Sequence, residues 1–298
     1  MPRPLVQQVA AAAVATVVAC CFAARSSAVL DASFMEEFDV IWGGDHVRVA
    51  DDEEGRRVVA LTLDRDSGSG LQSKDQFLFG EFSMEIKLVP GDSAGTVATF
   101  YLTSEGETHD EIDFEFLGNV SGEPYVMHTN VFANGKGERE QQFYLWFDPT
   151  ADFHNYTILW NPLNIIFSVD GEPVRVFKNH EASGVPYPGG QPMRAHASLW
   201  NGDFWATRGG QVKINWTHAP FAASYRGYES SACSVSSGGQ PNSTSPSPDD
   251  SAGPWMGRQL GPDGERAVAW ARENYMIYDY CRDQWRFPQG QPAECNLD

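Results

Sequence analysis

In the stretch Asp110-Glu111-Ile112-Asp113-Phe114-Glu115-Phe116, acidic and apolar residues alternate from Glu111 onward. Side chains on a β-strand point alternately to its two faces, so the stretch reads as a strand with Glu111, Asp113 and Glu115 on one side. Ile112, Phe114 and Phe116 then form the buried side. Three carboxylates in line repel one another, an arrangement that sheets avoid without cause. A solvated edge strand and a calcium site are the alternative readings. The wholly apolar opposite face and the aromatic flanks favour a central strand with working acids.

Outward from this strand the same short alternation continues. Arg57–Leu63, Phe82–Leu88, Tyr156–Trp160, Ile165–Val169 and Val174–Phe177 are further strand candidates, and Asp170-Gly171 is a hairpin turn signal. Residues 33–220 therefore read as an all-β sandwich with no sustained helical period. Residues 230–254 change to Ser, Gly, Pro, Asn and Asp and read as a flexible insert or linker. Beyond them, Arg266–Asn274 has a helix pattern with Ala267, Trp270 and Ala271 as its apolar stripe, and Tyr275–Tyr280 reads as a strand. This tail reads as an extension packed on the sandwich.

At 298 residues, 42% hydrophobic and 12% aromatic, the chain has enough apolar side chains for a large core. Its formal net charge of −19 leaves no electrostatic footprint for nucleic acid or an anionic membrane. Arg3, the apolar run Val9–Ala24 and the small residues Ser26-Ser27-Ala28 follow the order of a secretory signal, cleaved after Ala24 or Ala28. About 16 apolar residues is short for a membrane span of about 20. Removal of both Arg3 and Arg25, by cleavage after Ala28, takes the charge to −21; either cut removes Cys20 and Cys21, leaving Cys233, Cys281 and Cys295. In an oxidising compartment Cys281 and Cys295 close a short loop worth about 3 kcal/mol. Cys233 is then a free thiol or a partner in some other pairing. The three cysteines do not offer a zinc set. Asn119, Asn155, Asn215 and Asn242 open glycosylation sequons, of which Asn119, just after Gly118, is the best candidate.

Two working carboxylates are the requirement of glycoside hydrolysis, about 5–5.5 Å apart for retention and about 6.5–9.5 Å for inversion. Glu111 and Glu115 are about 13 Å apart at Cα on a flat strand, so only a curved strand with the long side chains leaning inward brings them together. A sugar chain would cross between them, with Asp113 splitting their protonation states. The residues alone leave open which glutamate is the nucleophile. Trp200 and Trp205, in a Gly-rich stretch, read as flat platforms for sugar faces or as core residues. His128-Thr129-Asn130-Val131 reads as a strand offering polar groups to the same cleft or to solvent. His109 reads as packing or hydrogen-bonding beside the site rather than as a metal ligand.

His109-Asp110-Glu111-Ile112-Asp113-Phe114-Glu115-Phe116-Leu117-Gly118-Asn119 resembles the active-site signature of the plant xyloglucan endotransglucosylase/hydrolases, within glycoside hydrolase family sixteen. Gly68-Ser69-Gly70, Phe79-Gly80, Ile86–Thr96 and Trp205–Gly210 fit the same family, as do Tyr278–Cys281, Arg286-Phe287-Pro288 and Glu294-Cys295. The resemblance runs from about residue 33 to the end, the insert excepted.

It implies a concave β-jelly-roll sandwich over residues 29–229, after a signal at 1–28, and a C-terminal extension over 255–298 with a short helix and a strand. Glu111 is then the nucleophile, Glu115 the general acid/base, and Asp113 the residue that orients the nucleophile. Asn130, Trp200, Trp205 and Arg208 lie along the cleft, and His128, Gly209 and Arg286 are further candidate substrate contacts. A glycan at Asn119 is a habit of the family. Implied is a secreted monomer of the cell wall or apoplast, without cofactor or metal, whose partners are xyloglucan donor and acceptor chains. Gln191–Gly210 resembles the transferase-type members, without the longer loop of the hydrolytic ones, so transfer is expected to dominate over hydrolysis. Two departures stand out. Members usually carry a Cys about nine residues after Cys233, where this chain has Asn242. One disulfide is then missing, leaving Cys233 a candidate reactive thiol. The insert near the acceptor side bears on acceptor choice.

Overall fold

Alternation with a period of two becomes sixteen strands in the computed structural model, which describes residues 34–236, 240–241 and 253–297. They are β1 Phe38–Trp42, β2 Val47–Asp51, β3 Arg57–Leu63, β4 Ser69–Ser73, β5 Gln76–Lys87, β6 Thr96–Thr103, β7 Glu111–Leu117 and β8 Val126–Phe132. Then follow β9 Gln141–Tyr144, β10 His154–Trp160, β11 Asn164–Val169, β12 Glu172–Lys178, β13 Arg194–Asn201, β14 Phe221–Ser236, β15 Gln240–Pro241 and β16 Met276–Asp279. The signal segment, Cys20, Cys21 and Asn242 lie outside the described residues.

Two antiparallel sheets make the sandwich. One, in the order β1-β4-β13-β6-β7-β8-β9-β16, carries the acidic strand near its middle; the other runs β12-β11-β10-β5-β14-β3-β2, with β15 on β14. Between them pack Phe82, Phe100, Phe114, Phe116, Tyr156, Trp160 and Phe167, all fully buried. Phe114 meets Phe167 edge-on at 5.2 Å and Tyr156 at 5.7 Å. Burying each such ring is worth about 1.5–3 kcal/mol, which fixes the register of β7 and therefore the side its acids face. Asp170 and Gly171 both have positive φ (51° and 81°) between β11 and β12, as the hairpin signal requires.

The tail packs back on the sandwich. Helix Pro262–Asn274 lies against β12, and β16 extends the site sheet by pairing with β9. Its buried positions are Val268 and Ala271 rather than the stripe expected from Ala267, Trp270 and Ala271. Trp270 sits at the margin of that face, where its ring meets Trp146 and Tyr275. Cys281 and Cys295 are bonded, closing the expected loop.

The region expected to loosen from residue 230 does not do so at once. β14 continues to Ser236 because β5, twelve residues long, supplies a ladder partner as far as Val235 opposite Gln76. Backbone pairing satisfies that polar segment where side-chain burial could not. Cys233 is buried on this strand and is not a free thiol, which corrects the expectation of a reactive one. The rest of the insert, 237–239 and 242–252, lies outside the described residues.

Candidate active site

β7 has a partner on each side, β6 and β8, so the acids stand on a central strand and not on an edge. Opposite them, Ile112, Phe114 and Phe116 are fully buried. Cross-strand neighbours share a face, so two rows of side chains run across the sheet through these acids. One comprises Gly70, Ser198, Thr99, Glu115, His128 and Gln142; the other Gln72, His196, Tyr101, Asp113 and Asn130. Ser198 and Thr99 hydrogen-bond through their hydroxyls at 2.6 Å, and His196 stacks on Tyr101 at 4.8 Å.

The three acids share one half-dry environment and respond unequally. Burial raises the Glu111 carboxyl, but hydrogen bonds from Thr103 and Asp113 and the nearby His109 favour its ionised form. Burial between two glutamates holds Asp113 well above the ordinary carboxylate range, so it stays protonated and donates to Glu111. Burial, with the charges of Glu111 and Glu140, pushes Glu115 up to about 8. At one end of the row Glu111 thus has partners that favour its ionised form, while Asp113 in the middle and Glu115 at the other end hold their protons, the division that acid–base chemistry on a pair of carboxyls needs.

His109 stacks on Phe132 and donates from Nδ1 to the Gly106 carbonyl at 3.2 Å, with Nε2 4.0 Å from Glu111. His128 lies 3.6 Å from Glu115 through Nε2. That separation alone would suggest an ion pair, but burial lowers His128 to about 4 while Glu115 is raised, so both are neutral near pH 7. Gln142 donates its amide to His128 Nδ1 at 3.0 Å, which leaves the proton on Nε2, facing Glu115. Asn130 accepts the backbone N–H groups of Val131 and Arg139 on Oδ1, substituting for ladder bonds lost where β8 and β9 diverge.

Trp205 meets His128 edge-on at 5.7 Å and lies 6.3 Å from Trp200. Both indoles are half-buried over a small apolar cluster of Val97, Leu117 and Ala206, beside the acidic row rather than in the main core. Thr207 anchors their loop by accepting from Gly95 N and donating to the Gly118 carbonyl, each at 2.7 Å. Arg208 and Gly209 occupy the exposed left-handed turn that follows. Arg286 reaches the site sheet by a two-pronged contact with Glu140, at 2.5 and 3.0 Å. Asn119 is half-buried at the rim of a cavity of about 400 Å³ and donates to the Pro124 carbonyl.

Several participants escape a reading by motif. Arg175, fully buried on β12, crosses the sandwich to donate to the Thr129 carbonyl and hydroxyl at 2.8 Å and to the Arg139 carbonyl. Its signal was a lone charge in the apolar run of β12. Asp110 accepts from Asn134 N and so ties the end of β7 to the turn after β8. Thr99, Tyr101 and Thr103 on β6 also escape such a reading, because nothing in one strand says which strand will lie beside it. Among the described residues no group of three His, Cys, Asp or Glu side chains is arranged to hold a metal ion, and no helix is long and apolar enough to cross a membrane.

Two family models match the chain: glycosyl hydrolases family 16 over residues 34–218 and the xyloglucan endo-transglycosylase C-terminus over 250–295. Among curated relatives, xyloglucan endotransglycosylase/hydrolase protein 8 of Oryza sativa subsp. japonica is 58% identical, covering 96% of this chain and 97% of that protein. Probable xyloglucan endotransglucosylase/hydrolase protein 23 of Arabidopsis thaliana is 54% identical, covering 89% of this chain and 92% of its own. Among solved structures, the apo form of the Crh5 transglycosylase is 25% identical with a TM-score of 0.51, covering 66% of this chain and 80% of that one.

Proposed function

The chain belongs to glycosyl hydrolase family 16, in its xyloglucan endotransglucosylase/hydrolase branch, and on that premise we propose that it cuts xyloglucan within its β-1,4-glucan backbone and rejoins the fragment to another xyloglucan chain. The observation that carries the reading is the acidic row on a central strand, whose members hold their protons unequally: partners favour the ionised form of Glu111 at one end, and Asp113 between the two glutamates and Glu115 at the other end are held protonated.

In the proposed cycle Glu111 attacks the anomeric carbon as the glycosidic bond breaks, and Glu115 gives its proton to the departing 4-oxygen. A covalent glycosyl-enzyme results. Asp113, donating to Glu111, holds that carboxylate in line and strengthens its standing as a leaving group in the second step. Glu115, now a carboxylate, takes the proton from the incoming hydroxyl. Two inversions at one carbon give net retention. If the hydroxyl belongs to a second glucan, the product is a rejoined chain; if it belongs to water, hydrolysis. Transfer wins when contacts beyond Glu115 hold an acceptor sugar in place longer than a water molecule stays. His128 beside Glu115, Trp205 against His128, and the Glu140–Arg286 pair whose Glu140 charge reaches Glu115 support that reading. Asn130, Trp200, Arg208 and Gly209 complete the proposed substrate contacts. The proposed setting is the secreted, wall side of the cell, as a monomer with a glycan on Asn119, and no cofactor enters any step.

The test is product sizing after incubation with long xyloglucan, with and without labelled xyloglucan oligosaccharides. Label is expected to enter long chains. Shortening without label entry would reduce the proposal to an endohydrolase, and no change in either would overturn it.

A further inference from the structure

The row through Glu115 does not stop at Gly70. Gly70 pairs with Trp42 on β1, the edge strand, and Trp42 keeps 38% of its surface exposed. β1 reaches this register through a bulge: Val40 faces Leu71, Trp42 faces Gly70, and Ile41 is the extra residue. Without the bulge Ile41 would stand beside Gly70, so the irregularity serves to aim an indole where an aliphatic side chain would otherwise fall.

The face that the indole covers follows from the glycines under it. A Cβ on Gly70 would lie 2.2 Å from Trp42 Nε1, and one on Gly68 would lie 3.1 Å from Cη2 and Cζ3 of the same ring. The ring thus lies over the backbone of both glycines, on the side toward which Gly70 would point a side chain. That side is shared with Ser198, which hydrogen-bonds Thr99, itself the neighbour of Glu115. The indole therefore belongs to the face of the acids and not to the core. Any other residue at position 70 would lift it off the sheet.

We infer that Trp42 is the floor of a distal sugar-binding subsite on the flank opposite the C-terminal extension, taking a glucosyl residue of the donor chain. The inference rests on the proposed function. Three strand spacings separate β7 from β4, about 14 Å at about 4.7 Å each, so this subsite is reached only by a chain extending several sugars from the cleaved bond. An exposed, flat indole suits the apolar face of a pyranose. Between Trp42 and Glu115 the row offers only small groups, Gly70, Ser198 and Thr99, which leave an open path for the intervening sugars.

The test uses the mature chain carrying Glu111→Gln, which blocks turnover, and calorimetric affinities for xyloglucan oligosaccharides of increasing backbone length. Affinity should rise with length, and Trp42→Ala should remove the last gain, about tenfold, while leaving the shortest ligands unaffected. Trp42→Phe should keep most of it. Gly70→Ala, which keeps the tryptophan but displaces its ring, should act like Trp42→Ala. As a readout that needs no variant to fold, oxidation of Trp42 by N-bromosuccinimide, followed by peptide mass spectrometry, should be slowed by long oligosaccharides and not by short ones. Unchanged length dependence in Trp42→Ala, or equal oxidation with long and short ligands, would overturn the subsite alone. Failure of the parent chain to bind any xyloglucan oligosaccharide would overturn the functional reading and this inference with it.

Discussion

The two flanks of the acidic strand are built by different physics. On one side, β6, β13, β4 and β1 present Thr99, Ser198, Gly70, Tyr101, His196, Gln72 and Trp42. None of these is charged near neutrality, since burial lowers His196 to about 4. On the other side, β8, β9 and β16 are held by charge. Arg139 pairs with Glu294 of the tail at 2.7 Å with both partners buried, Arg286 grips Glu140, and Arg175 props β8 from beneath. The first flank is made by strand pairing within the sandwich. The second depends on a tail clipped to it by an ion pair and a disulfide. A sheet flank cannot be loosened without unfolding the sandwich, whereas a tail flank can be tuned by itself. With donor and acceptor on the flanks proposed for them, that division lets the grip on the donor and the choice of acceptor vary separately.

The strongest perturbation should ignore this division. Glu111→Ala is expected to lower the rate by about 10³–10⁶-fold in the label-transfer assay while oligosaccharide binding survives on both flanks. Loss of binding comparable to loss of rate would make the residue structural. Next, Arg139→Ala leaves Glu294 buried and unpaired and should cost about 3–5 kcal/mol by urea unfolding. The cost should fall on one flank, with hydrogen exchange accelerating in β16 and β9 well before β4 and β13. Uniform acceleration would erase the distinction between the flanks.

Smaller still is the effect of pH on Glu115. Its carboxyl titrates near 8 in the folded protein against an ordinary 4.5, so the folded state binds that proton more tightly. The resulting stability is complete below about 4.5 and is lost as pH rises through about 8. Bond cleavage needs the same proton, so kcat/KM should fall about tenfold per unit above that point. Glu115→Gln should flatten the alkaline fall in stability. A fall that persists in this variant would place the responsible group elsewhere.

The acidic strand was legible in the sequence, the second flank in part, through His128, Asn130 and Arg286, and the first flank hardly at all. Alternation at Glu111–Phe116 fixed both the faces of β7 and its burial, because a strand's period is a local property. The hairpin at Asp170-Gly171 was legible for the same reason. Trp42 was not, because its role depends on a bulge and on two glycines about 26–28 residues away that only pairing brings beneath it. Arg175 and Arg139 likewise act across the sandwich, on partners 46 and 155 residues distant. Residues 230–236 read as loose by composition, and a long partner strand overrode that reading. The helix stripe missed Val268 because Trp270, though apolar, packs at the margin with other rings.

The finest test of the contrast lies at Arg286. Its guanidinium is partly exposed and paired with Glu140, a contact that by itself is worth about 0–1 kcal/mol to the fold. Arg286→Ala should therefore barely move the melting temperature. Removing the cation does, however, leave the Glu140 carboxylate facing the neighbourhood of Glu115, whose proton Glu140 already helps to retain. Glu115 should then titrate higher, shifting the alkaline limb of the rate profile upward in pH. The KM for a labelled acceptor should rise several-fold, and donor cleavage measured by hydrolysis should hold. Arg286→Lys should restore the limb, since it returns the charge, but not the acceptor KM, since a single ammonium cannot reproduce the two-pronged grip. Equal loss for donor and acceptor would mean that the two flanks work as one surface, and the separation argued from their construction would fail.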